Sequence, residues 1–341
     1  MIPSTMKAAR IHARGAAHFQ IEVLPTPKPG PGQVLIRVEA AGVNFSDVKR
    51  RRGDVYPFAT EFPYVPGSEI AGTVVAHGSG IDGPPIGTRV FALAGANGYG
   101  GYAQFAVSYA QTAIPTPSGM EFDVAAILLV AGATAKLMLS HAALLQAGQR
   151  LLVPAATGGV GSFMLQIARH MGAGTIIAAV GDDSKGEQAL ALGAHAVVNY
   201  TEPDWPSQVQ ALTEGVGVDV ALEASGGATL EQTLSCLAPF GRLVVFGAAS
   251  GRSGTLSPAV LEQFLYAPAP NQALVGFNVG SYFTARPAVA AAALGELIED
   301  VVARRIRVPA IQTLPLDEAT RAHALLEARK VAGKLVIKPW A

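Results

Sequence analysis

The sequence predicts an α/β protein in which a doubly wound parallel sheet is inserted into a β-rich domain. Three observations predict it: short strand-like runs over the first third, an alternation of strands and helices that begins near residue 123, and a tail of mixed character. The chain has 341 residues, of which 50% are apolar, so it can build two ordinary domains with buried cores.

The first third of the chain has the pattern of a compact, barrel-like β domain. Its segment 25–32 reads PTPKPGPG, and prolines exclude a central strand there. Glycine-rich turns such as 78–80 separate the later runs. The predicted strands are 6–11, 20–24, 34–41, 70–77, 88–92 and 101–107.

Strands and helices then alternate, which predicts parallel strands covered by helices on both faces, as in a Rossmann sheet. The predicted strands are 150–154, 175–180, 196–198, 219–222 and 242–246, and the predicted helices are 161–171, 185–192, 205–213 and 230–237. The tail predicts helices 288–304 and 316–329 and strands 311–314 and 334–337. We therefore expect a β-rich domain from residues 1–126 and 281–341 and a Rossmann domain from residues 127–280.

Charge and cysteine content exclude several classes of protein. Lysine and arginine number 25, as do aspartate and glutamate, and a zero net charge argues against nucleic-acid binding. Cys236 is the only cysteine, so we expect no disulfide framework, no cysteine-rich zinc site and a reducing compartment, the cytoplasm. The first residues contain no apolar h-region, so we expect no secretory signal. The apolar run 124–145 carries Lys136 and His141, and we expect a buried helix rather than a membrane span.

The segment 151–161, which reads LLVPAATGGVG, has the pattern of a strand, a glycine turn and the start of a helix. Glycine allows the backbone to approach a pyrophosphate, and the helix start supplies N–H groups and a positive dipole. Ala156 stands where the first glycine of the usual motif would be, so an ordinary turn remains the alternative. The alternation that follows favours dinucleotide binding. The candidate residues are Thr157, Gly158, Gly159, Val160 and Gly161.

The end of the next strand indicates which dinucleotide is bound. An acid about 20 residues past the glycines would bind the ribose of NAD. Asp182 and Asp183 are near that place, but Gly181 holds the strand-end position. Lys185 could meet the 2′-phosphate of NADP, with a solvated surface lysine as the alternative.

Several segments together resemble the medium-chain dehydrogenase/reductase superfamily, and within it the zinc-independent quinone oxidoreductase (zeta-crystallin-like) group. They run in family order over nearly the whole chain: AAGVNFSD at 40–47, PGSEIAG at 66–72, GATA at 132–135, 155–161, 181–185, VVNY at 197–200 and GKLVI at 333–337. The resemblance implies a Rossmann domain inserted in a GroES-like catalytic domain.

The resemblance also implies that zinc is absent. Zinc enzymes of the superfamily carry a Cys and a His in segments where this chain has Asn44 and Ser68. Neither residue supplies thiolate or imidazole, so we expect no metal site and no zinc-bound alkoxide. Hydride transfer to a quinone or an activated C=C needs no metal, because the acceptor itself holds the developing charge.

The family's cofactor residues carry over to matching positions. Asn44 would lie at the nicotinamide end. Thr134 would lie at a phosphate or the nicotinamide, with a hydroxyl that only starts a helix as the alternative. Lys185 and Tyr200 would flank the 2′-phosphate, which favours NADPH, with NADH as the alternative because of Asp182 and Asp183. The turns after two further strands and the C-terminal lysine would line the cofactor groove, although the glycines could serve only as tight turns and the lysine could be a surface residue. The groove residues expected from these turns and from the C-terminal lysine are Ser225, Phe246, Gly247 and Lys334.

The resemblance makes Tyr56 the candidate proton donor, with Asn44 and Asp47 as further catalytic candidates. Lys49 stands near the place of a second family tyrosine, so the pattern departs there. Water, or direct acceptance by a quinone, could replace the donor. The alternative for Asn44 is a turn-stabilising residue, and for Asp47 an acid that orders the site.

These observations predict an NADPH-dependent, zinc-independent oxidoreductase acting on a small molecule, a quinone or an α,β-unsaturated carbonyl compound. The alternatives are an enoyl-thioester reductase and a catalytically silent NADPH-binding scaffold or sensor. We expect a homodimer with a subunit contact in segment 253–271, for which a lid or a loop packed on its own domain is the alternative. Cys236 is expected to be a buried packing residue.

Overall fold

The computed structural model describes residues 1–57, 59–95, 97–267 and 270–341. The chain forms two compact units, one made of Met1–Ala131 with Ala310–Ala341 and the other of Gly132–Pro309. We call them the catalytic unit and the nucleotide unit. The sequence predicted breaks after 126 and 280, whereas the compact units break after 131 and 309. Residues 281–309 fall in the nucleotide unit because the helix Pro287–Val302 packs on the helix Ala133–Leu137.

The described strands are β1 Thr5–Arg10, β2 Gln20–Pro25, β3 Gln33–Val43, β4 Glu69–His77, β5 Arg89–Leu93, β6 Phe105–Tyr109, β7 Ile114–Pro115, β8 Leu151–Pro154, β9 Ile176–Val180, β10 Ala196–Asn199, β11 Val218–Glu223, β12 Leu237–Val245, β13 Ala273–Gly276, β14 Ile311–Pro315 and β15 Lys334–Lys338. The described α-helices are α1 Phe45–Arg52, α2 Phe122–Ala125, α3 Ala133–Leu137, α4 Gly159–His170, α5 Gly186–Ala191, α6 Trp205–Leu212, α7 Thr229–Leu234, α8 Pro258–Tyr266, α9 Val279–Ala285, α10 Pro287–Val302 and α11 Ala319–Glu327.

The catalytic unit is built on a sheet of strand order β14-β15-β3-β4-β5-β7, with β6 paired to the long central strand β3. The C-terminal strand β15 runs antiparallel to β3, which joins the two ends of the chain in one sheet. Apolar side chains of β3, β4, β5 and β15 form one buried cluster with those of α11. The predicted β-rich domain made from both chain ends is therefore confirmed.

The nucleotide unit contains a parallel sheet of strand order β10-β9-β8-β11-β12-β13 among the described residues. From β8 the chain adds strands towards one edge of the sheet, and from β11 it adds them towards the other edge. A crevice forms between two such strands at their carboxyl ends, and ligands bind there in open α/β sheets. The doubly wound sheet is confirmed. The helix predicted at 230–237 ends earlier, at Leu234, because Leu237 already pairs with Val218 in the sheet. Helices α8 and α9 and strand β13 were not predicted.

The apolar run in the middle of the chain is helical from Phe122 to Ala142. By length and composition it could cross a membrane, but 72% of its most apolar window is buried within the folded chain. A core helix of a folded protein has this burial, in agreement with the prediction. Cys236 is a free, fully buried thiol, and burial raises its pKa to about 12, so the predicted packing role is confirmed.

Candidate functional site

In the nucleotide unit, the turn between β8 and α4 packs so closely that only glycine fits at position 161. A Cβ on Gly161 would lie 2.4 Å from the carbonyl oxygen of Ala155 and 2.8 Å from the Cα of Ala156. The N-cap residue Gly158 has no side-chain cap hydrogen bond. The first N–H groups of α4 therefore have no partner within the helix, and together with the helix dipole they can bind a phosphate.

The turn keeps its shape although alanine replaces the first glycine of the usual motif. Ala155, one residue earlier, has a φ of 46° and makes the left-handed step of the turn. The N–H of Gly158 donates to the carbonyl oxygen of Ala155 at 2.8 Å, which closes the turn. Thr157 is 3% exposed and lies within it.

The end of β9 brings Gly181 and Tyr200 together. A Cβ on Gly181 would lie 2.5 Å from the hydroxyl oxygen of Tyr200, so the tyrosine can cover the strand end only because residue 181 is glycine. Lys185 ends a short turn, Asp183–Lys185, that follows the same strand. The structure therefore places all three predicted residues in the loops that follow the neighbouring strands β9 and β10.

Each of the two acids of this loop accepts a hydrogen bond, Asp182 from the backbone of the loop and Asp183 from the last residue of β10. Asp182 accepts a hydrogen bond from the N–H of Ser184 at 2.9 Å, and hydrogen bonding to Ser184 lowers the pKa of Asp182. Asp183 accepts one from the Nδ2 of Asn199 at 2.9 Å. Both carboxylates already serve as acceptors within the nucleotide unit.

A buried acid that the sequence analysis missed organises the turn after β11. The Oε1 of Glu223 accepts from the N–H groups of Ser225 and Gly226, at 2.5 and 2.6 Å, and from the hydroxyl of Thr229 at 3.1 Å. Its Oε2 accepts from the hydroxyl of Thr233 at 3.1 Å. Glu223 is 1% exposed, so these four hydrogen bonds replace its hydration and hold the turn rigid.

The remaining predicted residues of the nucleotide unit lie on α3 and after β12. The N–H of Phe246 donates to the carbonyl oxygen of Glu223 at 2.9 Å, which continues the strand pairing into the loop. A Cβ on Gly247 would lie 2.9 Å from the carbonyl oxygen of Ala224, so the two turns are in close contact. Thr134 lies in the first turn of α3 and is 7% exposed.

In the catalytic unit, strand register brings Asn44, Glu69 and Lys334 into one buried cluster. Strand β3 pairs with β15 through Val43 and Leu335 and with β4 through Gly42 and Glu69. Lys334 and Glu69 therefore lie on opposite sides of the end of β3. A Cβ on Gly42 would lie 2.6 Å from the Oε1 of Glu69, so the carboxylate uses space that only glycine leaves open.

Each polar atom of this cluster has a partner. The Nζ of Lys334 lies 3.1 Å from the Oε1 of Glu69 and donates to the carbonyl oxygen of Val43 at 2.9 Å and to the Oδ1 of Asn44. The Nδ2 of Asn44 donates to the same Oε1 at 2.9 Å, and the Oε2 of Glu69 accepts from the N–H of Val130 at 2.8 Å. A ligand that binds Lys334 directly would have to displace one of its three acceptors.

Asp47, in the first turn of α1, is a second buried centre. It accepts from the N–H of Asn44 at 2.9 Å, from the hydroxyl of Ser68 at 3.1 Å and from the hydroxyl of Tyr102 at 3.4 Å. Burial raises the pKa of Asp47 to about 6, against the opposing effects of its hydrogen bonds with Asn44 and Ser68 and of Lys334. Asp47 orders the end of β3 and the start of α1, and it titrates closer to neutrality than an ordinary aspartate.

A buried histidine continues this network. The Nε2 of His323 lies 3.3 Å from the hydroxyl oxygen of Tyr102. Burial lowers the pKa of His323 to about 3, so the imidazole is neutral at physiological pH. Its ring meets the ring of Phe19 edge-on at 4.8 Å, and its Nδ1 has no hydrogen-bond partner among the described residues.

Tyr56 lies beside α1, over an arginine of that helix. Its ring centroid is 5.1 Å from the Cζ of Arg50. Burial raises the pKa of Tyr56, so its hydroxyl is protonated and can donate. Neither Arg50 nor the neighbouring Tyr64 and Tyr99 was a candidate in the sequence.

Comparison with known proteins identifies the family. Residues 30–118 match the family described as alcohol dehydrogenase GroES-like domain, and residues 159–293 match that described as zinc-binding dehydrogenase. A 2-haloacrylate reductase of Burkholderia sp is 33% identical over 98% of this chain and 99% of its own. The chain belongs to the medium-chain dehydrogenase/reductase superfamily, in its quinone oxidoreductase group.

Further relatives of this group agree. A quinone oxidoreductase of Pseudomonas aeruginosa is 34% identical over 92% of this chain and 93% of its own. The crystal structure of Escherichia coli quinone oxidoreductase, described as complexed with NADPH, superposes with a TM-score of 0.88 at 29% identity and covers 98% of this chain and 99% of that one. The chain is accordingly an oxidoreductase.

The structure groups the predicted residues of the catalytic unit differently from the sequence analysis. Asn44, Asp47 and Lys334 share one polar network, whereas Tyr56 lies with Arg50. Glu69, Tyr102 and His323 belong to the first network but were not predicted. Two sequence signals could have found Glu69: it is a lone acid at the start of the apolar strand β4, and it lies in the segment PGSEIAG that carries the family resemblance. His323 had no such signal.

Proposed function

We propose that the chain is an NADPH-dependent reductase that transfers a hydride to a quinone or to the activated C=C of an α,β-unsaturated carbonyl compound. The observation that carries the proposal is the Rossmann sheet with its glycine turn, in a chain whose relatives are named as quinone oxidoreductases and a reductase of 2-haloacrylate. Bound NADPH would supply the hydride, and the protein would bind both reactants, exclude water and deliver a proton.

Several loop residues of the nucleotide unit fit a dinucleotide. The closely packed turn at Gly161 leaves the N–H groups of α4 available for the pyrophosphate. Lys185 and Tyr200 would flank the 2′-phosphate at the end of β9. Because Asp182 and Asp183 already accept hydrogen bonds from Ser184 and Asn199, they are less available to a ribose of NADH, which supports NADPH. Thr157, Thr134, Ser225, Phe246 and Gly247 would line the rest of the groove.

The reaction would proceed without zinc, because the donor set in the catalytic unit does not suit that metal. Asn44 and Ser68 offer neutral oxygen atoms where zinc enzymes have thiolate and imidazole. Lys334 is ion-paired with Glu69 at 3.1 Å, and its fixed positive charge would repel a metal ion there. Among the described residues, no group of three or more His, Cys, Asp or Glu side chains is placed to hold a metal.

Tyr56 is the proposed proton donor, since the raised pKa of its phenol keeps the hydroxyl protonated at neutral pH. Asn44 and Asp47 would act as positioning residues. Asp47 is 2% exposed and is engaged by three hydrogen-bond donors, so it is better placed to order α1 than to exchange protons with a substrate.

We also propose a homodimer with a contact through segment 253–271. Helix α8 has no buried residue, and Leu261, Leu265 and Tyr266 are 44%, 65% and 81% exposed. An apolar face of this kind is typical of a subunit contact. Positions 268 and 269 of the segment lie outside the described residues. Sedimentation that finds only monomer at micromolar concentration would exclude this dimer.

The test measures the consumption of NADPH and NADH with a panel of quinones, enals, enones and enoyl-CoAs, each against a control without acceptor. Lys185→Ala should weaken NADPH binding about tenfold or more and leave NADH binding within about twofold, because only NADPH carries the 2′-phosphate. An unchanged preference would contradict the role of Lys185. Activity confined to enoyl-CoAs would indicate the thioester reductase, and no hydride transfer to any acceptor would indicate the silent scaffold.

A further inference from the structure

A cavity of about 360 Å³ lies within the catalytic unit, beside the last turn of α1. Arg50, Thr60, Glu61, Tyr64 and Tyr99 are among the residues that line it. Its volume is that of a small-molecule site. Among the described lining residues, Arg50 is the only basic side chain.

The guanidinium of Arg50 is buried with one nitrogen unused. Its Nε donates to the hydroxyl of Thr60 at 3.0 Å, and its Nη1 donates to the carbonyl oxygens of Asn97 and Gly98 at 2.8 and 3.0 Å. Its Nη2 is buried and has no hydrogen-bond partner among the described residues. These contacts fix the orientation of the guanidinium and leave one N–H edge uncommitted.

The charge of Arg50 also has no counterion in the described part of the chain. Arg50 is 2% exposed, and no described carboxylate lies within ion-pair distance of it, whereas Arg51 and Arg52 pair with Glu327 and Asp54. The carbonyl end of α1 and the faces of nearby tyrosine rings offset part of the cost of burying the charge. A buried cation is ordinarily paired with an anion, so an anion is the missing partner.

Tyr64, which lines the same cavity, carries a second unpaired donor. Tyr64 is 5% exposed, and its hydroxyl has no hydrogen-bond partner among the described residues. Its ring centroid lies 5.7 Å from the Cζ of Arg50. Two unsatisfied donors, one of them charged, match a ligand that only accepts hydrogen bonds. An ionised carboxylate is such a ligand, and its single charge matches the single arginine better than the double charge of a phosphate does.

We propose that Arg50 and Tyr64 bind the carboxylate of an anionic acceptor, an α,β-unsaturated carboxylic acid. This inference rests on the proposed reductase function and names its substrate class. The reactive C=C would then be held near Tyr56, the proposed proton donor, whose ring packs on the same guanidinium. The relative named 2-haloacrylate reductase acts, by its name, on an acid of this class.

The same contacts would assist the reaction. Hydride adds to the β-carbon, and the electron pair of the C=C moves to the α-carbon and is shared with the carboxylate oxygens. A proton then bonds to the α-carbon, so one hydride and one proton saturate the double bond while NADPH becomes NADP⁺. Negative charge on the carboxylate oxygens increases during hydride addition, and donors fixed against those oxygens stabilise it. Arg50 would thereby polarise the acceptor, which is the role of the metal in a zinc enzyme.

The turnover test compares 2-chloroacrylate with its uncharged methyl ester. The wild-type chain should prefer the acid in kcat/KM, and Arg50→Gln should reduce the acid-to-ester ratio about 10- to 100-fold because a charge-assisted hydrogen bond is lost. Tyr64→Phe should reduce it about three- to tenfold, because a hydrogen bond from an uncharged donor is lost. The matched control is Arg52→Gln, which removes the same charge from the same helix but from an arginine paired with Asp54.

The exposed Glu61 provides a test of opposite sign. Its carboxylate lines the cavity and would repel a bound acid, so Glu61→Gln should raise the acid-to-ester ratio. Equal ratios in the wild type, Arg50→Gln and Arg52→Gln would refute the carboxylate site. If Arg50→Gln does not fold, Tyr64→Phe and Glu61→Gln decide, and unchanged ratios in both refute the proposal.

A binding test separates this proposal from the reductase function. Calorimetry with 2-chloropropionate, a saturated acid that cannot be reduced, needs neither NADPH nor turnover. Binding of this acid that weakens about 10- to 100-fold in Arg50→Gln, and not in Arg52→Gln, supports the carboxylate site even if no acceptor is reduced. Reduction of quinones and esters by a chain that does not bind the acid would support the reductase and overturn the carboxylate site.

Discussion

Replacement of Asp47 by asparagine should change how the stability of the protein depends on pH. Asp47 is 2% exposed, and its burial raises the pKa of the carboxyl group from 3.8 to about 6. The folded chain therefore holds this proton more tightly than the unfolded chain does. The stability contributed by the proton is fully present below about pH 4 and is lost as the pH rises through about 6. Asparagine is neutral throughout and carries no such loss.

The size of the effect follows from the shift. A difference of about two pKa units corresponds to about 3 kcal/mol, at about 1.36 kcal/mol per unit. The free energy of unfolding of Asp47→Asn, minus that of the wild type, should therefore rise by about 3 kcal/mol between about pH 4 and pH 7. The substitution also weakens the hydrogen bonds with Asn44 and Ser68. That loss of stability does not depend on pH, so it shifts the difference in unfolding free energy by the same amount at every pH.

The assay is urea denaturation at a series of pH values. Unfolding is detected by the fluorescence of Trp340 in the catalytic unit, and Trp205 is replaced by phenylalanine in every variant so that it does not contribute. The wild-type curve must be subtracted from that of the variant, because the stability contributed by His323 depends on pH in the opposite direction. Its pKa is lowered to about 3, so its contribution is present above about 6.5 and is lost as the pH falls. Subtraction of the wild-type curve removes that contribution.

Glu121→Gln is the matched control in the same unit. Glu121 is exposed, so burial does not penalise its charge. The difference for Glu121→Gln should be flat between about pH 5 and pH 7. A difference for Asp47→Asn that is flat or falls over that range would refute the reasoning, because burial would then not penalise the charge of Asp47.

Two further predictions concern the glycine turn of the nucleotide unit and the buried ion pair of the catalytic unit. Gly161→Ala should lower the free energy of unfolding by about 1–3 kcal/mol and abolish NADPH binding in calorimetry, because the new Cβ would lie 2.4 Å from the carbonyl oxygen of Ala155. Gly295→Ala, in a helix where nothing lies within 4 Å of the added Cβ, should instead stabilise by about 0.5–1 kcal/mol; equal effects of the two changes would contradict the close packing at 161. Lys334→Met should cost about 3–5 kcal/mol in urea denaturation by leaving Glu69 buried and unpaired, and the double variant with Glu69→Gln should recover part of that cost. If the losses of stability from Lys334→Met and Glu69→Gln were purely additive in the double variant, the ion pair would be excluded.

Local sequence patterns predicted the nucleotide unit well. The glycine turn and the alternating strands and helices depend on backbone conformation and on apolar periodicity, which neighbouring residues decide. Helix α1 was missed because FSDVKRRR has no apolar period. It forms because Asp47 binds the N–H of Asn44 at its start and Gly53, with a φ of 75°, ends it.

The catalytic unit was predicted less completely, because its polar contacts join distant segments. Asn44 and Lys334 are 290 positions apart, and the strand pairing of β3 with β15 brings them together. The burial of Arg50 depends on the carbonyl groups of a loop 47 positions away. No property of the segment 45–52 indicates that one of its four consecutive basic residues lacks a counterion in the part of the chain that the structure describes.

The amino-acid sequence was sufficient to predict most of the strands and helices, the dinucleotide turn and the family to which the chain belongs. Local backbone preferences and apolar spacing set these features. The folded chain was needed to see which charges lose their water and which side chains meet across the sheet. Desolvation and strand register depend on the whole fold, so the raised pKa of Asp47, the Glu69–Lys334 pair and the unpaired guanidinium of Arg50 exist only in the folded chain.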